Sequence, residues 1–303
     1  MKARPPYLHP LRRDVPPLEE AFAACTAVFA GRDVPTHLCA QCFTPDWQAR
    51  IIAAAKQACA GGAPKPEDYA QIYFEHPACS GGEETIKLFA PYGLRDLMTG
   101  CPPAGFAPFS YPEVFKTMIH AGFWFWPDAQ IGAVRTLAMR LFWDWFGQGR
   151  YDWPTPDYTD DHLLGPGDDI LHLCSLCLID PADLVATLGT IHTPWADEAL
   201  CGPLNFSGYG ATYVAADTAR DENRYLKASD AIAQTLRVRE AAAFVAQVTP
   251  DWAEQAFFRN AQAAPELAER LSEFANYYDI RMMDTVETAA LPVTDIWPDL
   301  PQI

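Results

Sequence analysis

The stretch PDAQIGAVRTLAMRLFWDWFG, residues 127–147, predicts the fold class more clearly than any other part of the chain. Its apolar residues return at intervals of three and four, the spacing of one face of an α-helix. Trp143 and Phe146 widen that face, and Gly147 indicates where the helix stops. A helix apolar over so much of its circumference is expected to pack on two sides, as in layered helical arrays. The residues of this apolar face are Ile131, Val134, Ala138, Leu141, Phe142 and Trp145.

Helix-start signals recur along the rest of the chain. Thr44-Pro45-Asp46-Trp47 combines a capping Thr, a Pro at the first helical position and an early acid, and Thr249-Pro250-Asp251-Trp252 repeats the pattern. Related starts follow Thr155, Asp180 and Thr193, and no convincing strand pattern occurs. The predicted helices are 17–30, 45–60, 66–75, 82–98, 111–122, 127–147, 168–178, 181–189, 217–247, 249–262, 264–279 and 281–289.

Many short amphipathic helices without a fixed repeat period predict an all-α fold. We expect an irregular multi-helix array, a HEAT-like α-solenoid or an α–α superhelix. The chain is interpreted as a single helical domain, 1–303. If the chain instead forms two parts, the Pro- and Asp-rich segment 148–167 is the predicted seam, that is, the boundary between 17–147 and 168–303.

The charge of the chain excludes whole classes of partner. With 22 basic and 39 acidic residues the formal net charge is −17, so nucleic acid and anionic membrane surfaces are both disfavoured. The most apolar run, AGFWFW at 121–126, is too short to span a bilayer. The N-terminal residues lack the apolar core of a secretory signal, which predicts a cytoplasmic protein. In that reducing compartment the nine cysteines are expected as buried thiols, metal ligands or redox groups.

Three stretches together resemble a group of uncharacterised bacterial all-helical proteins. They are CAQCFTPDW (39–47), YAQIYFEHPACSGGEETIKLFAP (69–91) and EVFKTMIHAGFWFWPDAQIGAVRTL (113–137). The shared features are a CxxC before a helix start and a later Trp-Pro helix entry. In that group a His precedes the Phe of a Phe-Leu-Pro element, but the corresponding residue here is Leu88, so no ligand is carried over. The resemblance implies an all-α fold and no function.

The main chemical lead is a repeated HLCxxC pattern, at 37–42 and again at 172–177. A CxxC turn offers two sulfurs at a separation that suits zinc, which favours four thiolate or imidazole ligands. Cys39 and Cys42 lie just before a predicted helix start, where free backbone N–H groups favour a thiolate. They are interpreted as a metal or redox pair, or alternatively as a structural turn. The nearest additional donors are His37, His76 and Cys79.

The second pair has a different setting. Cys174 and Cys177 stand in DDILHLCSLCLID among five apolar residues, which favours buried thiols in a core helix over metal ligation. His172 follows Asp168 and Asp169 at helical spacing, which would suit a carboxylate–imidazole metal site. Acids at the positive end of the helix dipole are the simpler interpretation.

These observations leave three functional hypotheses open. Helical arrays commonly bind other proteins, so the first hypothesis is a non-catalytic scaffold or interaction protein. The second is a zinc-binding or redox-responsive protein that uses Cys39 and Cys42, with Cys174, Cys177, His37 or Cys79 as helpers. The third is an enzyme with an aromatic-lined pocket, although no catalytic residue is predicted and the aromatic clusters are better explained as core.

Overall fold

The computed structural model describes residues 7–98, 111–148, 166–201 and 226–292. These residues form thirteen α-helices and two 3-10 helices, so the predicted all-α fold class is confirmed. Within these ranges there is no strand, and extended pairing is limited to one parallel bridge between His9 and Ile179. The stacked helix pairs of a HEAT-like solenoid remain a prediction. The α-helices are α1 Leu18–Phe29, α2 Pro45–Cys59, α3 Pro66–Tyr69, α4 Glu83–Met98, α5 Tyr111–His120, α6 Asp128–Gln148, α7 Pro166–Leu176, α8 Pro181–Leu188, α9 Pro194–Cys201, α10 Leu226–Gln247, α11 Pro250–Asn260, α12 Pro265–Asn276 and α13 Tyr278–Ala289.

The predicted capping residues begin four of these helices, including α9, where the Thr193 hydroxyl accepts from the N–H of Ala196 at 3.4 Å. The side chain of Thr44 accepts a hydrogen bond from the backbone N–H of Trp47, and Thr249 accepts one from Trp252 in the same way. Asp180 caps α8 by accepting from the N–H of Ala182. Each side chain satisfies a backbone donor that the first helical turn leaves unpaired. The predicted start at Thr155, like most of the predicted seam, lies outside the described residues.

The helix boundaries differ from the predictions where a local conformation interrupts the apolar period. The predicted helix 111–122 ends at His120 because Gly122 adopts a left-handed conformation, after which Phe123–Phe125 form a 3-10 turn. The predicted helix 66–75 is the four-residue α3 followed by the 3-10 helix Ala70–Phe74. The predicted segment 217–225 lies outside the described residues.

The chain divides into two compact units. Among the described residues, the first unit contains 14–98 and 111–141, and the second contains 7–13, 142–148, 166–201 and 226–292. In the first unit α4 packs against α1, α2 and α5. In the second unit α10 packs against α8 and α13, while α11 packs against α12 and α9 contacts α7 and α12.

Aromatic side chains form much of the core of the first unit beside α4. The rings of Tyr69 and Phe89 stack with centroids 4.8 Å apart, and the Tyr73 hydroxyl donates a 2.8 Å hydrogen bond to the carbonyl of Phe89. Thr117 in α5 donates to the carbonyl of Tyr73 at 2.8 Å. These buried contacts fix the 3-10 helix Ala70–Phe74 against α4 and α5, and so fix the start of the turn that follows it.

The aromatic residues predicted as core lie at 123–126, 142–146 and 277–278. Most residues of the first two clusters are buried, whereas Tyr277 of the third is 57% exposed. Phe123, Trp124, Phe142 and Phe146 are at most 3% exposed, and Trp145 is 7% exposed. Burial of such side chains stabilises the fold by roughly 1.5–3 kcal/mol each for residues of Phe size. Within the ranges that the structure describes, each helix is too short or too polar to cross a bilayer.

Candidate metal centre

The connection between α1 and α2 carries two of the candidate thiols in one tight turn. The backbone N–H groups of Cys42 and Phe43 both donate to the carbonyl of Cys39, at 3.2 and 2.9 Å. Leu38 and Phe43 are buried on either side of the turn, at 5% and 1% exposure, and Thr44 then caps α2. The apolar anchors and the helix cap hold the turn in place, which leaves Cys39 and Cys42 half-buried.

A second turn, between the 3-10 helix and α4, carries Cys79. Its N–H donates to the carbonyl of His76 at 2.8 Å, and the N–H of Gly82 donates to the carbonyl of Pro77 at 2.8 Å. The buried hydroxyl of Ser80 donates to the carbonyl of Ile72, so the turn is tied to the 3-10 helix. This network positions the Cys79 thiol on a defined backbone.

The two turns meet at a backbone hydrogen bond from the N–H of Cys39 to the carbonyl of Cys79, 2.9 Å long. Gly81 permits this approach. Its φ is +90°, and a Cβ at this position would lie 2.9 Å from the Cβ of Pro35 and 3.2 Å from Leu38 in the first turn. Close packing of the turns therefore requires glycine at this position.

The approach of the turns brings three sulfur atoms together. The Sγ atoms of Cys39, Cys42 and Cys79 all lie within 4.8 Å of one another. Zinc bound to thiolates at about 2.3 Å in a tetrahedron places the sulfurs about 3.8 Å apart. Small side-chain movements would close that difference, so these three residues can hold a metal ion.

The three thiols differ in their local electrostatics. The N–H groups of Gln41 and Cys42 point at the Cys39 sulfur and lower the pKa of that thiol. The Glu75 carboxylate accepts a hydrogen bond from the Cys42 thiol, and with lesser contributions from Cys79 and burial it raises the pKa of Cys42 to about 12. Desolvation is the largest cause of the raised pKa of Cys79. At neutral pH the metal-free site therefore keeps protons that a bound cation would displace.

The two histidines proposed as helpers do not belong to the three-thiol group. His37 is exposed, and its Nδ1 lies 3.1 Å from the hydroxyl of Thr36. His76 is half-buried, with its Nδ1 accepting a hydrogen bond from the N–H of Ala78 and its ring 6.1 Å from that of His120. Cys79 is thus the additional donor that tertiary structure brings to Cys39 and Cys42.

The second HLCxxC stretch lies in the other unit and in a different environment. Cys174 and Cys177 are both fully buried at the end of α7, and burial raises the pKa of Cys174 well above its usual value. The Nδ1 of His172 lies 3.4 Å from the Oε2 of Glu240 in α10. The side chains of Asp168 and Asp169 lie outside the description of the structure. These two cysteines have the surroundings of core thiols.

The chain matches no protein-family model, no curated protein and no solved structure. The functional inference therefore rests on the geometry of the three-thiol group. Sequence reasoning missed Glu75, whose carboxylate raises the pKa of the Cys42 thiol. No spacing signal could have revealed it, because Glu75 is remote from Cys42 in the sequence and reaches it only through the meeting of the two turns.

Proposed function

We propose that the chain is a zinc-binding protein whose ligands include Cys39, Cys42 and Cys79. The observation that carries this proposal is the convergence of three Sγ atoms within 4.8 Å from two separate turns. Thiolates select thiophilic ions such as zinc, copper(I) and iron over magnesium or calcium. Zinc is favoured among these because a CxxC turn plus further donors is its usual structural arrangement.

The proposed metal would join the turn before α2 to the turn before α4. Because the unfolded chain lacks a preformed site, metal binding would stabilise the fold. Free zinc at 100 times its Kd would contribute about 2.7 kcal/mol. For a chain of 303 residues that corresponds to a rise in Tm of about 4 °C, which a chelator should reverse. A cytoplasmic location fits this role, since a reducing compartment keeps the ligands as free thiols.

Elemental analysis of untagged protein, combined with titration of the thiols, tests the proposal. We expect about one zinc per chain in the native protein and its loss in Cys39→Ser and Cys79→Ser. Cys59→Ser is the matched control: this half-buried thiol of the first unit donates to the carbonyl of Arg32, and serine keeps a donor there. Nine titratable thiols and no metal in the native protein would refute the proposal.

A second candidate function, a protein-interaction scaffold, is supported by an exposed apolar row on α13. Ile280, Met283 and Val286 recur every third residue and are 69%, 53% and 49% exposed. The exposed side chains of Asp279, Asp284 and Glu287 flank the row. Charge complementarity therefore favours a basic amphipathic helix as the partner, rather than a second copy of this acidic chain.

Fluorescence anisotropy with a synthetic Leu/Lys amphipathic helix as the probe tests this second candidate. Met283→Lys should weaken binding about tenfold or more, because it introduces a positive charge into the centre of the row and repels the basic probe. Phe258→Lys is the control, since Phe258 is 68% exposed on α11 and does not belong to the row. Equal loss in both variants would reject α13 as the docking surface.

A further inference from the structure

The backbones of Cys39 and Cys79 are in direct contact where the two turns meet, through the 2.9 Å hydrogen bond from the N–H of Cys39 to the carbonyl of Cys79. Such a bond holds the two Cα atoms about 5.5 Å apart, as in paired strands, and disulfides span Cα separations of about 4.4–6.8 Å. We propose that Cys39 and Cys79 form a reversible disulfide that links the two turns when the chain meets a two-electron oxidant such as hydrogen peroxide.

The sulfur atoms need only a short movement to form this bond. The Sγ atoms of the three-thiol group lie within 4.8 Å of one another, and a disulfide requires a separation of about 2.05 Å. Rotation of one cysteine side chain between staggered rotamers moves its Sγ by about 3 Å, which covers the difference. The bond can therefore form while the backbone of both turns stays in place.

Cys42 is the competing partner, since its sulfur belongs to the same group. The N–H groups of Cys42 and Phe43 both donate to the carbonyl of Cys39, so residues 39–43 form a helix-like turn. Cβ atoms three residues apart in such a turn are separated by about 5–6 Å, whereas a disulfide needs about 3.8 Å. A Cys39–Cys42 disulfide would deform this turn, and a Cys39–Cys79 disulfide leaves it intact.

The oxidation balances with hydrogen peroxide as the oxidant. Cys39 and Cys79 are half-buried, so a small oxidant reaches them. One thiolate attacks the peroxide, an S–O bond forms as the O–O bond breaks, and the released hydroxide takes up the proton lost by that thiol. The second thiolate attacks this sulfenic sulfur, the S–S bond forms, the S–O bond breaks, and a second water leaves. Two thiols lose two electrons in total, and one peroxide is reduced to two waters.

The disulfide and the proposed zinc centre use the same two sulfurs. A disulfide sulfur carries no thiolate charge, so oxidation removes two of the three proposed ligands and releases the metal. This control of zinc rests on the proposed zinc function, whereas the disulfide depends on the thiol geometry alone. At free zinc 100 times its Kd only about 1% of the chains are metal-free, so disulfide formation should slow roughly 100-fold.

Peptide mapping of the oxidised full chain tests the disulfide. The protein is stripped of metal with a chelator, treated with hydrogen peroxide, alkylated, and digested with trypsin without reduction. Cys39 and Cys42 then lie on peptide 33–50, and Cys59 and Cys79 lie on peptide 57–87, because the bond after Lys65 precedes a proline. We expect a cross-link between the two peptides that a phosphine reductant removes. The nine thiols titrated in denaturant should fall by two.

Serine variants identify the two sulfurs. Cys42→Ser and Cys59→Ser should keep the cross-link, whereas Cys39→Ser and Cys79→Ser should lose it. Cys59→Ser is the matched control, because it removes the other cysteine of peptide 57–87, whose thiol donates to the carbonyl of Arg32. A disulfide within peptide 33–50 of the native protein, or no disulfide at all, would overturn the proposal. Circular dichroism shows whether each variant folds, and the result on the native chain needs no variant.

A chromophoric chelator follows zinc in the same experiment. Peroxide should release zinc from the loaded chain as the cross-link forms, and reduction should restore zinc binding. Equal oxidation rates with and without zinc would refute the control of zinc by the disulfide. If the native chain forms the cross-link but binds no zinc, the zinc function and its control fall while the disulfide stands. If the chain binds zinc and forms no cross-link, only the disulfide is refuted.

Discussion

Replacing Gly81 with alanine should weaken the proposed metal site without changing any of its ligands. Gly81 and Gly82 both have positive φ, +90° and +91°. Alanine at such angles costs about 1–2 kcal/mol of backbone strain. The two positions differ in their surroundings: a Cβ on Gly81 would lie 2.7 Å from the Thr85 hydroxyl and 2.9 Å from the Cβ of Pro35, whereas a Cβ on Gly82 meets nothing within 4 Å.

The expected magnitude follows from this difference. Gly81→Ala adds an overpacking cost of about 1–3 kcal/mol to the backbone strain. In the metal-free chain the two turns can separate to relieve that contact, but a shared metal holds them together. The cost therefore appears as a loss of zinc affinity, roughly 5–150-fold at 1.4 kcal/mol per factor of ten. Gly82→Ala carries its strain with and without metal, so its affinity should stay within roughly twofold of the native value.

Competition titration of zinc against a chromophoric chelator measures both variants beside the native chain. Thermal unfolding of the metal-free proteins shows that each variant folds. Native affinity in Gly81→Ala would refute the reasoning, because the approach of the turns at Gly81 would then have no part in forming the site. Equal losses in Gly81→Ala and Gly82→Ala would refute it as well, since backbone strain alone would explain both.

Three further predictions concern stability and thiol reactivity. Asp197→Ala should lower the free energy of unfolding by about 3 kcal/mol in a denaturant titration, because the buried carboxylate pairs at 2.6 Å with Arg259, whose side chain is 26% exposed. Thr249→Ala should cost about 1 kcal/mol in the same assay, because it removes the cap of α11. In folded protein from which a chelator has removed any metal, Cys39 should be alkylated first. Its alkylation rate should remain high below the pH at which ordinary thiols slow down, because the pKa of the Cys39 thiol is lowered. Cys174 should stay unmodified, since it is fully buried with a raised pKa.

Matched variants check each of these predictions. Glu198→Ala removes the ion pair with Arg270, whose side chains are 40% and 57% exposed, and should change stability by less than about 1 kcal/mol. A loss as large as that of Asp197→Ala would contradict the role given to burial. Thr249→Ser keeps the capping oxygen and should retain most of the stability. Peptide mapping that finds Cys174 alkylated as fast as Cys39 in folded protein would contradict the burial of α7.

The helices could be predicted from the sequence because their signals are local. The capping oxygen of Thr44 or Thr249 and the proline after it act within one helical turn, so the start of a helix is visible in four residues. The boundary at Tyr277 was harder to predict. Tyr277 ends α12 at φ −116° and ψ 24°, and no side chain caps α13 after it. The prediction from the apolar spacing alone therefore placed the boundary between these two helices too late.

The sequence by itself determined the all-α class, the cysteine pair at Cys39 and Cys42, and the burial expected around Cys174. Each of these depends on residues within a few positions of one another. Only the tertiary structure decided that Cys79 joins the pair while His37 stays exposed. It also decided that the Glu75 carboxylate raises the pKa of the Cys42 thiol. The physical reason is that these contacts require the two turns to meet, through the packing of the 3-10 helix Ala70–Phe74 against α4 and α5 and the close approach that Gly81 permits. Such contacts depend on long-range packing, which the spacing of residues along the chain does not encode.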